Sequence, residues 1–237
     1  MGSLRSPGKV THPFAKTTII EHIVKRIQLI KEFSVVSLAI PDLEKDDSLA
    51  AIGRKINVNV VRGDENDVLS RFILAGEQLD VPYIARICGD CPWVDLNLAA
   101  LLAKRAFETD ADYIITEDSI PLGTGLEIVR LSVLKEISRL TEESKYLEHV
   151  TSYIHDHPDK FTRSVVPAPD YLRGKEVRLT VDTKEDLLFQ DKLIMGLNVS
   201  EPCSLSLPEI FNHLDSRPEL LEINAHVVQK DWRSPSK

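Results

Sequence analysis

Apolar positions along the chain follow two alternating rhythms. Short β-branched runs give way to longer stretches in which aliphatic residues recur every three to four positions, the pattern of repeated βα units around a mostly parallel sheet. Thr18-Ile19-Ile20-Glu21 has the sequence of a capping box, and Ile19, Ile20, Ile23, Ile27 and Ile30 continue from it at helical spacing, so this helix packs one face on a sheet. Residues 34–40 read as a buried strand, Asp46 or Asp47 caps a helix to Lys55, and 58–61 form the next strand before a turn at Arg62-Gly63-Asp64. A helix over 67–79 and a strand over 83–88 follow, and Gly89-Asp90-Cys91-Pro92 stops that strand ahead of a helix at 95–108. The series continues with a strand at 113–116, the glycine-rich turn Pro121-Leu122-Gly123-Thr124-Gly125, a strand at 126–129 and helices at 132–139 and 143–155. A last strand at 177–181 leads to a helix capped by Thr183 and running to about Ile194. After that the rhythm changes. Residues 207–214 and 218–223 read as short helices joined by Asp215-Ser216-Arg217, which divides the chain into a main domain, 1–197, and a small helical C-terminal appendage, 198–237.

Composition bounds what this fold can do. The 237 residues are 43% apolar and 28% charged, a globular balance. At this length roughly 70% of the unfolded surface can be buried, so neither disulfides nor a structural metal is needed to hold the fold. Twenty-nine basic against 37 acidic residues give a net charge of -8, which argues against a nucleic-acid coat or a polybasic membrane anchor; an anionic ligand needs a local basic site. The first twenty residues carry Arg5, Lys9 and Lys16 without an apolar core, and no long uncharged apolar run exists. Neither a secretory signal nor a spanning helix is therefore expected, and the cytoplasm is the default compartment. The three cysteines fit a reducing environment. Cys88-Gly89-Asp90-Cys91 admits a dithiol redox reading, but only Cys203 remains to complete a zinc site and no spaced histidine pair accompanies it, so small residues around a turn is the reading adopted.

In open α/β sheets, ligands bind beyond the carboxyl ends of the strands. Asp90 and Asp182 both fall there, the first behind Gly89 and the second after Arg178-Leu179-Thr180-Val181. Two such carboxylates suit one Mg²⁺, whose other ligands are waters and substrate phosphate; each Asp also suits the cap of the helix that follows. Positive charge comes from the N-terminal segment. Gly2-Ser3-Leu4-Arg5-Ser6-Pro7-Gly8-Lys9 combines glycines, hydroxyls and cations suited to wrapping a polyphosphate, although the spacing is not that of a Walker A loop. No G-x-G-x-x-G opens a helix after a strand, which sets aside a dinucleotide-dependent oxidoreductase.

Several ordered blocks carry a resemblance. M-G-S-L-R-S-P-G-K-V at the start resembles R-M-G-S-T-R-L-P-G-K-V of the cytidylyltransferases that activate acidic sugars, in particular the spore-coat polysaccharide branch, relatives of the CMP-sialic acid and CMP-KDO synthetases. R-G-D-E-N-D-V-L from Arg62, R-I-C-G-D-C-P from Arg86, E-H-V-T from Glu148, L-T-V-D-T-K-E-D-L from Leu179 and P-E-L-L-E-I-N-A-H-V from Pro218 are similar to further blocks of that branch, so the likeness spans nearly the whole chain. The resemblance implies a Rossmann-like nucleotidyltransferase fold, a mostly parallel mixed sheet with helices on both faces. It also implies transfer of CMP from CTP to an acidic sugar or related glycan precursor, with Mg²⁺ as cofactor and pyrophosphate released. On this basis Gly2, Ser3, Arg5, Gly8 and Lys9 occupy the triphosphate loop, with Arg5 and Lys9 stabilising the leaving pyrophosphate. Asp90 and Asp182 bind the metal, Arg62 and Arg86 approach the nucleotide, and Glu127 and His149 approach the sugar. The implied partners are CTP and a sugar acid, with no nucleic acid and no membrane; the C-terminal helices are free to serve as a homodimer contact or to close the active site.

The departures from the family pattern matter as well. Family members begin with a central strand ending in Gln-Ala-Arg before M-G-S, whereas Met1 is here the methionine of that signature. The expectation is a sheet lacking its first strand, either because Met1 is internal to a longer reading frame or because the chain is a truncated relative. A non-catalytic glycan-pathway interaction protein is the alternative that truncation would favour. Trp93, where an aliphatic residue is usual, and the turn at 121–125 are expected to border the sugar pocket.

Overall fold

The computed structural model describes residues 8–229. After a 3-10 turn at Lys9–Thr11, β1 (Pro13–Phe14) and β2 (Thr17–Thr18) form a small antiparallel hairpin that delivers α1 (Ile19–Ile27). The capping box is present: Thr18 Oγ1 accepts from the Glu21 N–H, and the Glu21 carboxylate accepts from the Thr18 N–H at 2.9 Å. β3 (Ser37–Pro41), α2 (Asp47–Lys55) and β4 (Asn59–Gly63) make a parallel βαβ unit. α3 (Val68–Gln78), capped by the Asp67 carboxylate, leads to β5 (Tyr83–Arg86). Then come α4 (Leu96–Thr109), β6 (Tyr113–Ile115), β7 (Glu127–Arg130), α5 (Leu131–Leu140), α6 (Ser144–Glu148), α7 (Ser152–Asp156), β8 (Arg163–Val165), α8 (Lys184–Leu197) and α9 (Leu207–Asp215), with a 3-10 stretch at Pro218–Ile223.

β5, β7, β6 and β8 stand side by side in that order, with β7 antiparallel to both neighbours and β8 parallel to β6, while β3 and β4 form a separate parallel pair. The architecture is thus mixed α/β with helices on both faces. On one face, Ile19, Ile23 and Ile27 of α1 pack with Leu98 and Leu102 of α4, Phe189 and Leu193 of α8 and Ile210 and Phe211 of α9. On the other, Leu69 of α3, Leu134 and Ile137 of α5 and Val150 pack over Tyr113 and Val129. The C-terminal helices therefore share the core of the first face.

Several expected elements are corrected. The anticipated strand at 177–181 is a single parallel bridge from Leu122 to Arg178, because the main chain here divides its hydrogen bonds between two partners: Leu179 N donates to Leu122 O, and Val181 N to Asp90 O. The single helix expected over 143–155 is broken at His149, whose φ of -106° and ψ of 76° let Val150 turn into the core and Thr151 toward Glu127. β8 and the β1–β2 hairpin, both short, had no recognisable period. Trp93, expected at the border of the sugar pocket, lies in the interior. It is fully buried, donates from its indole to Gln190 at 2.7 Å, and packs against His22 and Phe14. Beneath it the guanidinium of Arg26 donates to the carbonyls of Val94, Cys203 and Leu205 at 2.8, 2.9 and 2.7 Å.

Candidate active site

Gly8 adopts a left-handed conformation with φ of 74°, which costs glycine little, and the turn that follows aims Lys9 inward. Its Nζ donates to Asp90 Oδ2 at 2.8 Å and to Asp182 Oδ1 at 3.0 Å. These three residues, expected separately from three parts of the chain, meet at one point. Backbone contacts enforce the meeting. Asp90 O accepts from the N–H of Val181 at 2.8 Å and from Thr180 Oγ1 at 3.1 Å, which locks the turn after β5 to the segment carrying Asp182.

The Asp182 carboxylate is held from behind. Arg178 Nη2 donates to Asp182 Oδ2 at 3.1 Å, while Arg178 also grips the buried Asp186, which closes the capping box at the start of α8 and accepts from Asn224. Burial of Lys9 works against its charge, but Asp90 and then Asp182 outweigh it and hold its pKa above the ordinary lysine value. The residues present fit a divalent cation, since two hard carboxylate oxygens converge where a cationic group already sits. Among the described residues no cluster of three or more His, Cys, Asp or Glu could hold a metal, so the protein would contribute these two carboxylates and leave the remaining positions to water or phosphate.

A second polar cluster is built around Glu127 on β7. Its carboxylate accepts from Thr151 Oγ1 at 2.7 Å, from Arg86 Nη1 at 3.3 Å and from the Tyr113 hydroxyl, and His155 Nε2 lies 3.3 Å away. Burial would raise its pKa, but the His155 contact, the Arg86 charge and the two hydroxyls prevail and hold it at about 2. Arg86 and Glu127, expected beside the nucleotide and the sugar respectively, are thus paired with each other in one cluster. His149 lines a large cavity beside this cluster, whereas the histidine next to Glu127 is His155. Thr151, Tyr113 and His155 went unnoticed in the sequence; the E-H-V-T block pointed to the right loop but not to its threonine.

Arg62, at the end of β4, is engaged with Asp47 at 2.6 Å, Asp42 at 2.9 Å and the Leu43 carbonyl at 2.8 Å. Gly2, Ser3 and Arg5 lie outside the described residues. Cys88 and Cys91 are both reduced, and the Cys91 thiol lies 3.5 Å from Asp90 Oδ1. A hydrogen bond from Cys91 and the charge of Arg86 lower the pKa of Cys88 to about 7, and the same bond raises that of Cys91. The loop at 121–125 touches the Asp182 segment directly: Gly123, at φ of 92°, packs so closely that a Cβ would stand 2.6 Å from Thr180 N. No described helix is long and apolar enough to cross a membrane.

The chain is similar to known proteins over most of its length. A family model described as cytidylyltransferase matches residues 1–214. The spore coat polysaccharide biosynthesis protein SpsF of Bacillus subtilis is 34% identical over 92% of this chain and 92% of its own length. A solved cytidylyltransferase from Leptospira borgpetersenii superposes with a TM-score of 0.86 at 25% identity, over 98% of this chain and 95% of that one. A CMP-2-keto-3-deoxy-manno-octonic acid synthetase solved with CTP shares the fold, with a TM-score of 0.56 at 15% identity over 82% of this chain and 93% of that one.

Proposed function

This chain belongs to the cytidylyltransferase family and is a CTP-utilising nucleotidyltransferase, and we propose that its acceptor is an acidic sugar or related glycan precursor and its metal Mg²⁺. In the proposed reaction a sugar hydroxyl oxygen attacks the α-phosphorus of CTP. The bond to the bridging oxygen breaks, its electron pair leaves with pyrophosphate, and the proton of the hydroxyl passes to solvent water. Such a transfer depends on positioning and charge neutralisation more than on a covalent partner.

The observation that carries this reading is Lys9 Nζ bridging Asp90 and Asp182. The chain places an ammonium between two carboxylates, and an incoming triphosphate would give that ammonium a new partner. Asp90 and Asp182 would hold Mg²⁺, which supplies positive charge to the phosphates when bound. Arg178 keeps Asp182 oriented throughout. A lysine held above its usual pKa stays protonated across the neutral range and so serves as a charge donor rather than a base. The Glu127 cluster, with paired cation and hydroxyls, supports an acceptor rich in hydroxyl groups, and the polysaccharide role printed for the Bacillus relative points the same way.

Pyrophosphate release with CTP, MgCl₂ and a panel of sugar acids tests the proposal. Turnover with at least one sugar acid, abolished by EDTA and lowered on the order of a hundredfold or more in Lys9→Ala, is expected. Turnover only with neutral sugars or polyols would discard the acidic-sugar assignment while leaving CTP use intact.

A further inference from the structure

Asp186 is fully buried, and the chain supplies every donor its carboxylate accepts from. Oδ1 accepts from Arg178 Nε at 2.7 Å and from Asn224 Nδ2 at 2.9 Å. Oδ2 accepts from Arg178 Nη2 at 2.9 Å and from the N–H groups of Asp182 and Thr183 at 2.9 and 3.0 Å. A buried carboxylate is costly unless donors fill its lone pairs, so one electrostatic demand holds all of these contacts in place. Two of them bear on Asp182. Its N–H is pinned by Asp186, and its Oδ2 accepts from the same Arg178 Nη2 that Asp186 orients. With Oδ2 turned to Arg178, Oδ1 is the oxygen that faces Lys9 and converges with Asp90.

One of the donors comes from the far end of the chain. The 3-10 stretch at Pro218–Ile223 is seated by the buried Leu220, and Asn224, which ends it, is only 3% exposed. Besides Asp186 Oδ1, its Nδ2 reaches the carbonyl of Arg178 at 3.2 Å, so a single amide ties together residues 38 and 46 positions earlier. Both partners are acceptors. Only the NH₂ end of the amide fits there, and the carboxylate of an aspartate, equal in shape, does not. Gln229 adds a contact from the same segment by accepting from Arg178 Nη1 at 2.6 Å. Every nitrogen of the guanidinium is then engaged, and an arginine whose planar fork is fully used has one orientation.

We propose that Asn224 is a positioning residue for the metal site, acting through Asp186 and Arg178 to set the rotation of the Asp182 carboxylate. The C-terminal segment thereby serves as a brace behind the active site, a different use from the closing element or dimer contact expected of it. Loss of the amide leaves Arg178 free to shift, and Asp182 Oδ1 then no longer converges on Asp90 in a fixed geometry. The proposal rests on the reading of Asp182 as a ligand of the divalent cation.

The full 237-residue chain is compared with Asn224→Asp, with the milder Asn224→Ala, and with Leu220→Ala, which empties a buried position of the same stretch without touching the polar network. Mn²⁺ affinity at saturating CTP, amide hydrogen exchange at Asp182 and Thr183, and the thermal midpoint are read on each. In Asn224→Ala the Mn²⁺ dissociation constant is expected to rise on the order of tenfold, and further in Asn224→Asp, with exchange at both amides faster by a similar factor. Leu220→Ala is expected to lower the midpoint while leaving Mn²⁺ affinity within about twofold, a split that a merely structural role for Asn224 does not produce. Unchanged Mn²⁺ affinity in both Asn224 variants overturns the proposal, whatever their midpoints, and so does an equal loss of affinity in Leu220→Ala. If the parent chain with CTP binds no Mn²⁺, the cation assignment fails instead. Exchange at Asp182 and Thr183 then decides the brace by itself: acceleration in Asn224→Ala upholds it, and unchanged exchange overturns it.

Discussion

The carbonyl of Asp90 accepts a hydrogen bond from the N–H of Val181 at 2.8 Å, one residue before Asp182. This backbone contact, with the Thr180 hydroxyl on the same carbonyl, ties together the two segments that carry the carboxylates, and Lys9 then closes the triangle. A functional change confined to the carboxylates is consequently separable from a structural one.

Asp90→Asn keeps the Val181 contact and the shape of the site while removing one negative charge. Turnover is expected to fall on the order of a hundredfold or more, with the thermal midpoint little changed. Steady-state kinetics alongside a melting curve checks it; a large loss of midpoint with normal turnover in the surviving protein contradicts the assigned role.

Gly123→Ala strains the molecule twice, by forcing a φ of 92° on a residue with a Cβ and by driving that Cβ toward Thr180 N. A loss of about 2 to 4 kcal/mol is expected from such a close backbone contact at a left-handed position. Because Thr180 is next to the Asp182 segment, the KM for nucleotide should rise as well. Urea unfolding and nucleotide titration measure the two effects.

Glu127 gives the protein an acid limit. Its carboxyl sits at about 2 in the folded state, against an ordinary value near 4.3 when unfolded. A depressed carboxylate stabilises above the unfolded value, and that stabilisation is lost as pH falls through about 4 toward 2. The linkage is worth on the order of 2 to 3 kcal/mol. Glu127→Gln should be less stable at pH 7 and show a flatter stability profile between pH 5 and 2; unfolding curves across that interval test the slope.

Cys88→Ser removes the more acidic thiol of the turn but leaves Asp90 held by Thr180 and Val181. Activity is expected within about twofold of the parent, since a free cysteine here packs as a small side chain. A large loss restored by another thiol-bearing side chain would instead favour redox control of the turn.

Helix positions were legible wherever a cap and a long apolar period coincided, as at Thr18 with α1 and at Thr183 with α8. The meeting of Lys9, Asp90 and Asp182 was accessible because each lies in a distinctive block. What escaped were features set by long-range contacts. Leu179 and Val181 have strand-forming side chains, yet their N–H groups go to Leu122 and Asp90 instead of one ladder. Trp93 was placed by its neighbours in sequence, while its burial is decided by α1 and by Gln190 on α8. Thr151 and His155 become partners of Glu127 only because the helix breaks at His149, and no local signal marks that break.

Arg26 joins α1 to the carbonyls of Cys203 and Leu205, which lie 177 and 179 positions later in the chain. During synthesis its guanidinium can reach Val94 early, but two of its three carbonyl acceptors are made only when most of the polypeptide has left the ribosome, so the anchoring of the first helix is completed late in translation. The core of the first face, which includes Leu207, Ile210 and Phe211, is therefore completed only by the last part of the chain to be made, while the core under α3 and α5 draws, among the described residues, on nothing beyond Phe161.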